Sequence, residues 1–556
     1  KLLKAMGGNF LRIAHYPQDQ SVMEACDRLG IITTVEIPIV NNITESKEFS
    51  TTSVEMAKEM VYQDYNHPSL VSWAYMNEIL LRPKYKGNPE KQKTYFNSIT
   101  ALAKDIEKTI RDLDPHRYTM VPNHGSFCKY VDTELTEIPM IVGWNLYAGW
   151  YGSGFSGFEN FLDNHHNKLK KPLIVTEYGA GADPRVRSLT PERFDFSLEY
   201  QVKYHTHYLK EILKRDFVAG VNIWNLADFG SETRHDTSPF VNSKGVMTLD
   251  RKPKDSYYLY QAFLKTDPFI AIGSKLWNYR SGFTETENGM VSTQPISIFT
   301  NQKSAILYQN GKSLGEKINN EDKTLVWNVP FANGQNLLEV ISETDGKITK
   351  DFHKVHFNLI DKNLDSKENP FESLRITLGS KRYFIDELTK EIWLPAQSIN
   401  EGNTSWGIVG GSPFKMKNTS RQSYGTDQNI KETANDPIFQ TAQVGLEAVK
   451  LNVPDGFYEI TLYFAELISD KAKIELAYNL DEASEKEALN SNRIFDVLVN
   501  GIVIIESLDL GKTYGAERAV SIKIKQLVDT KKGIVISFKA IKGEPILNAL
   551  AIKKVF

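Results

Sequence analysis

Through the first 265 residues, short apolar runs that close on polar residues alternate with stretches whose apolar positions recur at helical spacing. The runs are NFLRIAH ending at His15, GIITTVEI at Ile37, VSWAYMNE at Glu78, YTMVPN at Asn123, MIVGWNLY at Tyr147, PLIVTEY at Tyr178 and VAGVNIWNLAD at Asp228. Compact, β-rich and apolar throughout, they read as strands buried on both faces, as in a parallel sheet. Between them VMEACDRLG closes on Gly30 as a helix C-cap, and YFNSITALAKDIEKTIRDLD stops before Pro115. Seven such units predict a (β/α)8 TIM barrel, a fold of about 250 residues, over residues 1–265. Because KLLKAMGGNF reads as the middle of an amphipathic helix running into a strand, the first barrel strand is expected upstream of Lys1.

After Lys265 the helical spacing gives way to alternating runs such as ISIFTN, SAILYQNGKSL and LVWNVP, with Asn310-Gly311 as a hairpin signal. A small, immunoglobulin-like β-sandwich is predicted over residues 269–360, followed by a polar linker over 361–372. From residue 373 to 556, VPDGFYEITLYFAEL, RIFDVLVNGIVII and GIVISFKA predict a second, larger sandwich. Within it the charged run DEASEKEALNSN reads as a solvated loop or short helix.

Composition narrows the function classes. With 41% hydrophobic and 24% charged residues the chain reads as folded modules, and its net charge of -3 offers no electrostatic footprint for nucleic acid. No apolar run approaches the ~20 residues that span a bilayer, so membrane insertion is not predicted. The two cysteines, Cys26 in a helix and Cys128 in a loop, lack metal-ligand spacing and read as unpaired.

Barrel enzymes place their chemistry where strands end, and here those ends are polar. Retaining hydrolysis of a glycoside needs one carboxyl group to protonate the leaving oxygen and a second, ~5 Å away, to attack the anomeric carbon. Glu78 and Glu177 close the runs of the expected fourth and seventh strands, so they form the candidate acid/base and nucleophile. Candidate substrate-binding residues are Arg12, His15, Asn77, His124, Asn145, Tyr147 and Trp224. Tyr147 is suited to orient the nucleophile, Asn77 to bond the sugar 2-hydroxyl, and Trp224 to stack on the ring. Arg12 and His15 are equally compatible with a structural ion pair, and Trp224 with the core.

The motifs NFLRIAHYP, NHPSLVSWAYMNE, IVTEYGAGA and IWNLADF resemble, in order, the catalytic barrel of glycoside hydrolase family 2. The resemblance implies that the acid/base and nucleophile fall on Glu78 and Glu177, that the mechanism is retaining, and that no cofactor is needed. Within the family, WNLYAGWY, TEYGAGA and NSKGVMTLDRKPKDSYYLYQ look like bacterial β-galactosidase-type members, which makes β-galactosidase the first expectation. Asn242 and Lys244 match the Asn-x-Lys motif by which family β-glucuronidases hold the sugar carboxylate, so β-glucuronidase is the alternative. A non-catalytic carbohydrate-binding protein is a third reading. The last domain resembles malectin, through YFIDELTKEIWLPA, YEITLYFAEL, RIFDVLVNG and ILNALAI, and Tyr383, Trp393, Trp406 and Asp496 are its candidate sugar contacts. The expected partner is an oligo- or polysaccharide held near the barrel by this module. Family habit places such an enzyme in the periplasm or outside the cell, and leaves oligomerisation open.

Overall fold

The computed structural model describes residues 1–152, 154–232, 234–399, 405–416, 425–468, 491–529 and 533–555. The chain divides into two compact units. The first comprises Lys1–Ala180, Lys203–Leu226 and Phe263–Thr266; the second comprises Gly181–Val202, Ala227–Ala262 and Asp267–Phe556.

In chain order the first eight strands are β1 (Phe10–Ile13), β2 (Ile32–Glu36), β3 (Leu70–Ala74), β4 (Tyr118–His124), β5 (Ile141–Asn145), β6 (Leu173–Glu177), β7 (Val186–Ser188) and β8 (Val218–Val221). All but β7 form a TIM-barrel-like parallel sheet in the order β1-β2-β3-β4-β5-β6-β8, and each apolar run of the sequence supplies one of its strands. Burial on both faces explains the unbroken runs: all five residues of β6 are buried. The first five helices are α1 (Leu2–Met6), α2 (Gln20–Leu29), α3 (Lys47–Asp64), α4 (Pro89–Leu113) and α5 (Phe127–Asp132). The Asp19 carboxylate caps α2 by accepting from Ser21 N, and Gly30 ends the helix at φ 62°, where a side chain would be strained. Helix α4 starts at Pro89, six residues before its apolar periodicity begins, because Asn88 caps it and proline suits the first turn.

In the second unit, strands Ile270–Ile272, Val291–Thr300 and Thr324–Ala332 form a three-stranded sheet. Strands Tyr279–Phe283, Lys347–Ile360, Gly334–Thr344, Ser304–Gln309 and Lys312–Ile318 form a five-stranded one. Residues from both sheets, including Ile298, Trp327, Phe331, Val340 and Phe357, share one core. Alternate positions of Thr324–Ala332 are buried, the period-2 signature of a sheet with one face in the core. Asn310 and Gly311, at φ 50° and 80°, make the predicted two-residue hairpin.

The C-terminal region holds a seven-stranded and a six-stranded sheet around a second core. Strand β7, from the connection after β6, is the outermost strand of the seven-stranded sheet and pairs antiparallel with Arg382–Ile385. Three residues are too short a run to be read as a strand from sequence. The expected linker over 361–372 is instead packed structure: Leu364 and Phe371 are 1% and 5% exposed and belong to the core. Trp393 and Trp406 are core residues as well, at 3% and 1% exposure, which withdraws them as sugar-stacking faces. Tyr383 packs against Trp277, with ring centroids 5.5 Å apart, and Asp496 accepts from Ser507 N at 2.8 Å. The run DEASEKEALNSN lies outside the described residues but for its last two positions.

Cys128 lies in α5 rather than in a loop, and both cysteines are free, Cys26 buried and Cys128 exposed. Among the described residues no helix is long and apolar enough to cross a membrane, and no cluster of three or more His, Cys, Asp or Glu side chains is arranged to hold a metal.

Candidate active site

The carboxyl pair and the side chains bonded to it lie in the first unit, at or just beyond the carboxyl ends of its parallel strands. Arg12 is in β1, His15 just after it, Glu36 ends β2, Asn145 ends β5 and Glu177 ends β6. Asn77 and Glu78 do not close β3 as expected but lie three and four residues beyond Ala74. Met76 and Glu78 adopt φ 60° and 49°, a left-handed conformation that costs of order 1–2 kcal/mol in a residue with a side chain. Strand β4 and the segment after β2 hold that turn: Glu78 N donates to Pro122 O at 2.8 Å, and Asn41 N donates to Asn77 O at 2.9 Å. Strain so confined at a polar strand end is typical of a functional site.

Glu177 is 5% exposed, and each of its oxygens meets a donor. Arg12 Nη1 donates to Oε1 at 2.8 Å and the Tyr147 hydroxyl to Oε2 at 2.8 Å. Arg12 distributes its remaining donors over Glu36, through Nε at 3.0 Å and Nη2 at 3.1 Å, and over Asn77 Oδ1 at 2.8 Å. Burial opposes the guanidinium charge, yet the Glu36 and Glu177 carboxylates raise its pKa above the ordinary value. His15 Nδ1 donates to Glu36 Oε1 at 2.7 Å, its Nε2 is 4.0 Å from Glu177 Oε1, and its ring stacks on Trp224 at 5.0 Å. Arg12 thus pairs with the Glu36 and Glu177 carboxylates, and His15 is hydrogen-bonded to Glu36, which places both beside Glu177.

Around Glu78 the bonding differs. Asn145 Nδ2 donates to Glu78 Oε1 and to Asn77 Oδ1, both at 3.1 Å, while Asn145 Oδ1 accepts from Thr176 Oγ1 at 2.7 Å. Burial, and then the Glu177 charge, push the Glu78 carboxyl from 4.5 up to about 7. The two carboxyl groups therefore sit in unlike environments, one held between a guanidinium and a phenol, the other next to a neutral amide and poised to carry a proton. His124 is paired with the Tyr130 hydroxyl at 2.7 Å, and burial lowers its pKa to about 4, so its ring is neutral.

Asn242 and Lys244 belong to the second unit, where both are buried. Asn242 Oδ1 accepts from Lys244 Nζ at 3.3 Å. The sequence reading missed Glu36, 1% exposed and bonded to both Arg12 and His15. Its signal was present: a lone carboxylate inside the run GIITTVEI, next to the buried Thr33, Thr34 and Val35, requires a cationic partner.

Residues 1–266 match the family described as glycosyl hydrolases family 2, TIM barrel domain, and residues 397–550 the malectin domain. Residues 292–350 match a domain of unknown function, DUF4982. Over 363 residues the chain is 32% identical to a β-glucuronidase of Bacteroides fragilis, covering 62% of this chain and 48% of that protein. A putative β-glucuronidase of Formosa agariphila is 27% identical over 384 residues, 63% of this chain and 44% of that one. The chain therefore spans about half the length of these two relatives. Among solved structures, Bacteroides uniformis β-glucuronidase 2, covalently bound to cyclophellitol-6-carboxylate aziridine, superposes with a TM-score of 0.90 at 35% identity. That match covers 100% of this chain and 62% of the other. With the polar strand ends and the carboxyl pair in place, residues 1–266 are found to carry the TIM barrel domain of glycosyl hydrolases family 2, and residues 397–550 a malectin domain.

Proposed function

We propose that the protein is a retaining exo-β-glycosidase acting on β-glucuronides. The observation that carries the catalytic half of this reading is the asymmetry of the carboxyl pair: Glu78 is raised to about 7 by burial and by Glu177, while Glu177 is fixed by Arg12 and Tyr147. Glu78 is the general acid, because its carboxyl retains a proton near neutral pH. Its Oε1 accepts from Asn145, leaving Oε2 to carry that proton toward the glycosidic oxygen. Glu177 is the nucleophile, and once the glycosyl-enzyme has formed, Glu78 turns from acid to base and activates water. Asn77 Oδ1 is occupied by Arg12 and Asn145, which leaves its amide N–H groups as the donors for the sugar 2-hydroxyl. The His15 ring lies parallel on Trp224 and steadies the indole as a platform for the sugar.

The choice of sugar rests on Asn242 and Lys244 and on the relatives. An ammonium group beside an amide favours a carboxylate at C6 over a hydroxymethyl group by charge-assisted hydrogen bonding. The relatives bear the name β-glucuronidase, and the covalent ligand of the Bacteroides uniformis protein carries a 6-carboxylate. This ranks the glucuronide above the galactoside expected first from sequence. Comparing release of nitrophenol from the β-glucuronide, β-galactoside and β-glucoside tests it directly. The expected result is a glucuronide preference that Lys244→Ala reduces by about 10–100-fold in kcat/KM. Preference for the galactoside, or indifference to Lys244→Ala, would sink this substrate assignment while leaving the carboxyl pair standing.

Glu36 has a defined part in the same reading. It shares the Arg12 guanidinium with Glu177 and fixes the His15 ring by its Nδ1. Glu36→Gln keeps the shape but removes the charge and one of the two acceptor oxygens, which loosens Arg12 and His15, so kcat is expected to fall about 10²-fold with KM nearly unchanged, the size of effect that small displacements of reacting groups produce. A variant with a parental rate would show that Arg12 and His15 hold their places without it.

A further inference from the structure

The Asn242-Ser243-Lys244-Gly245 turn is held from behind by a buried ion pair that the catalytic reading does not use. Lys254 is completely buried, and its three protons are all engaged: Nζ donates to Ala182 O at 2.7 Å, Asp228 Oδ1 at 2.8 Å and Ser243 O at 3.0 Å. The same Asp228 oxygen accepts from Gly245 N at 2.9 Å. One carboxylate oxygen and one ammonium thus grip the backbone on both sides of Lys244. Ala182 N donates to Ser243 O at 3.0 Å, and Gln201 Nε2 to Gly245 O at 3.1 Å, which adds two further ties.

Close packing fixes the turn as firmly as the hydrogen bonds do. A Cβ on Gly245 would fall 2.1 Å from Asp228 N and 2.2 Å from the Ala227 carbonyl carbon, so only glycine admits this backbone-to-backbone approach. Burial of an ammonium is costly unless every proton is satisfied and a counter-charge is adjacent. Lys254 meets both conditions, and burial still lowers its pKa while Asp228 works in the opposite direction. A core position of this kind is ordinarily apolar. The ion pair places a hydrogen-bonded support behind the short segment that carries the buried Asn242 and Lys244 side chains.

We propose that Lys254 and Asp228 are positioning residues for sugar specificity, clamping the Asn242–Lys244 turn so that its amide and ammonium meet the sugar carboxylate in one orientation. This rests on the glucuronide reading above. The clamp touches no reacting atom; its contribution is to spare Lys244 the ordering that a mobile turn would require on each binding event.

The test uses Lys254→Met, which keeps the length of the side chain, and the double variant Lys254→Met with Asp228→Asn. The double variant removes both charges at once, so neither is left buried and unpaired, and it guards against a single variant that fails to fold. The readout is the ratio of kcat/KM for nitrophenyl β-glucuronide to that for nitrophenyl β-glucoside, which differ only at C6. The expected result is that this ratio falls about 10–100-fold through KM for the glucuronide, while glucoside turnover changes less than about threefold. A ratio unchanged in folded variants overturns the clamp, and so does an equal loss on both substrates, which is what general damage to the fold would produce. A parent enzyme that does not cleave the glucuronide defeats the substrate reading itself, and that result is visible before any variant is made.

Discussion

Glu177→Gln is expected to reduce kcat/KM on every β-glycoside substrate by about 10⁴–10⁶-fold, or roughly 5–8 kcal/mol of transition-state stabilisation. The amide is nearly isosteric with the carboxylate it replaces and still accepts from Arg12 or Tyr147, so the loss reports the missing nucleophile and not a rearranged pocket. A second consequence follows at Glu78. The Glu177 charge contributes, after burial, to raising the Glu78 pKa to about 7, and its removal makes ionisation of Glu78 easier. The Glu78 carboxyl in Glu177→Gln therefore titrates at lower pH than in the parent, though still above 4.5 because burial is the larger cause. Carboxyl-labelled NMR titration of both proteins measures the difference. Residual activity within tenfold of the parent would remove Glu177 as nucleophile, and an unmoved Glu78 titration would show that the two carboxyls do not sense one another.

Glu78→Gln is expected to divide substrates by leaving group. Loss of the general acid slows glycosides with poor leaving groups by about 10²–10⁴-fold, whereas dinitrophenyl glycosides, whose leaving group needs no proton, still glycosylate the enzyme. Hydrolysis of the resulting glycosyl-enzyme then lacks its base, and azide, which needs none, restores turnover as the β-glycosyl azide. The parent pH profile carries the same information. Protonated Glu78 declines as pH rises through about 7, so kcat/KM falls on the alkaline side near that value, and the limb disappears in Glu78→Gln. An alkaline limb that survives the substitution would assign that titration to another group, and uniform loss across leaving groups would withdraw the acid role.

The sequence by itself determined the order and kind of the elements. Strands β3 to β6 are buried at nearly every position and left compact apolar runs, β1 and β8 are only partly buried yet kept theirs, and the polar residues near the ends of these runs marked the candidate site. Glu78, Glu177, Arg12, His15, Asn145 and Tyr147 were all legible this way, since a charged or amide group at the end of a buried strand has few places to go. Helix limits were legible where a capping residue stood, as at Gly30, and less so at Pro89, where the first turns are solvated and lack periodicity.

Only the tertiary structure decided which of these groups face one another and what that does to their protons. The elevated pKa of Glu78 depends on burial and on a carboxylate 99 residues away in sequence, and Glu36 becomes meaningful only when Arg12 and His15 converge on it. The same holds for β7, three residues whose strand character comes wholly from pairing with Arg382–Ile385, and for Leu364 and Phe371, which a locally polar stretch disguised as linker. Lys254 is the clearest case: a lysine in a basic stretch reads as solvent-exposed, and only the convergence of Ala182, Ser243 and Asp228 makes its complete burial affordable. Local patterning records what each segment buries against; electrostatics and hydrogen bonding between distant segments are set by the three-dimensional arrangement, where spacing along the chain carries no information.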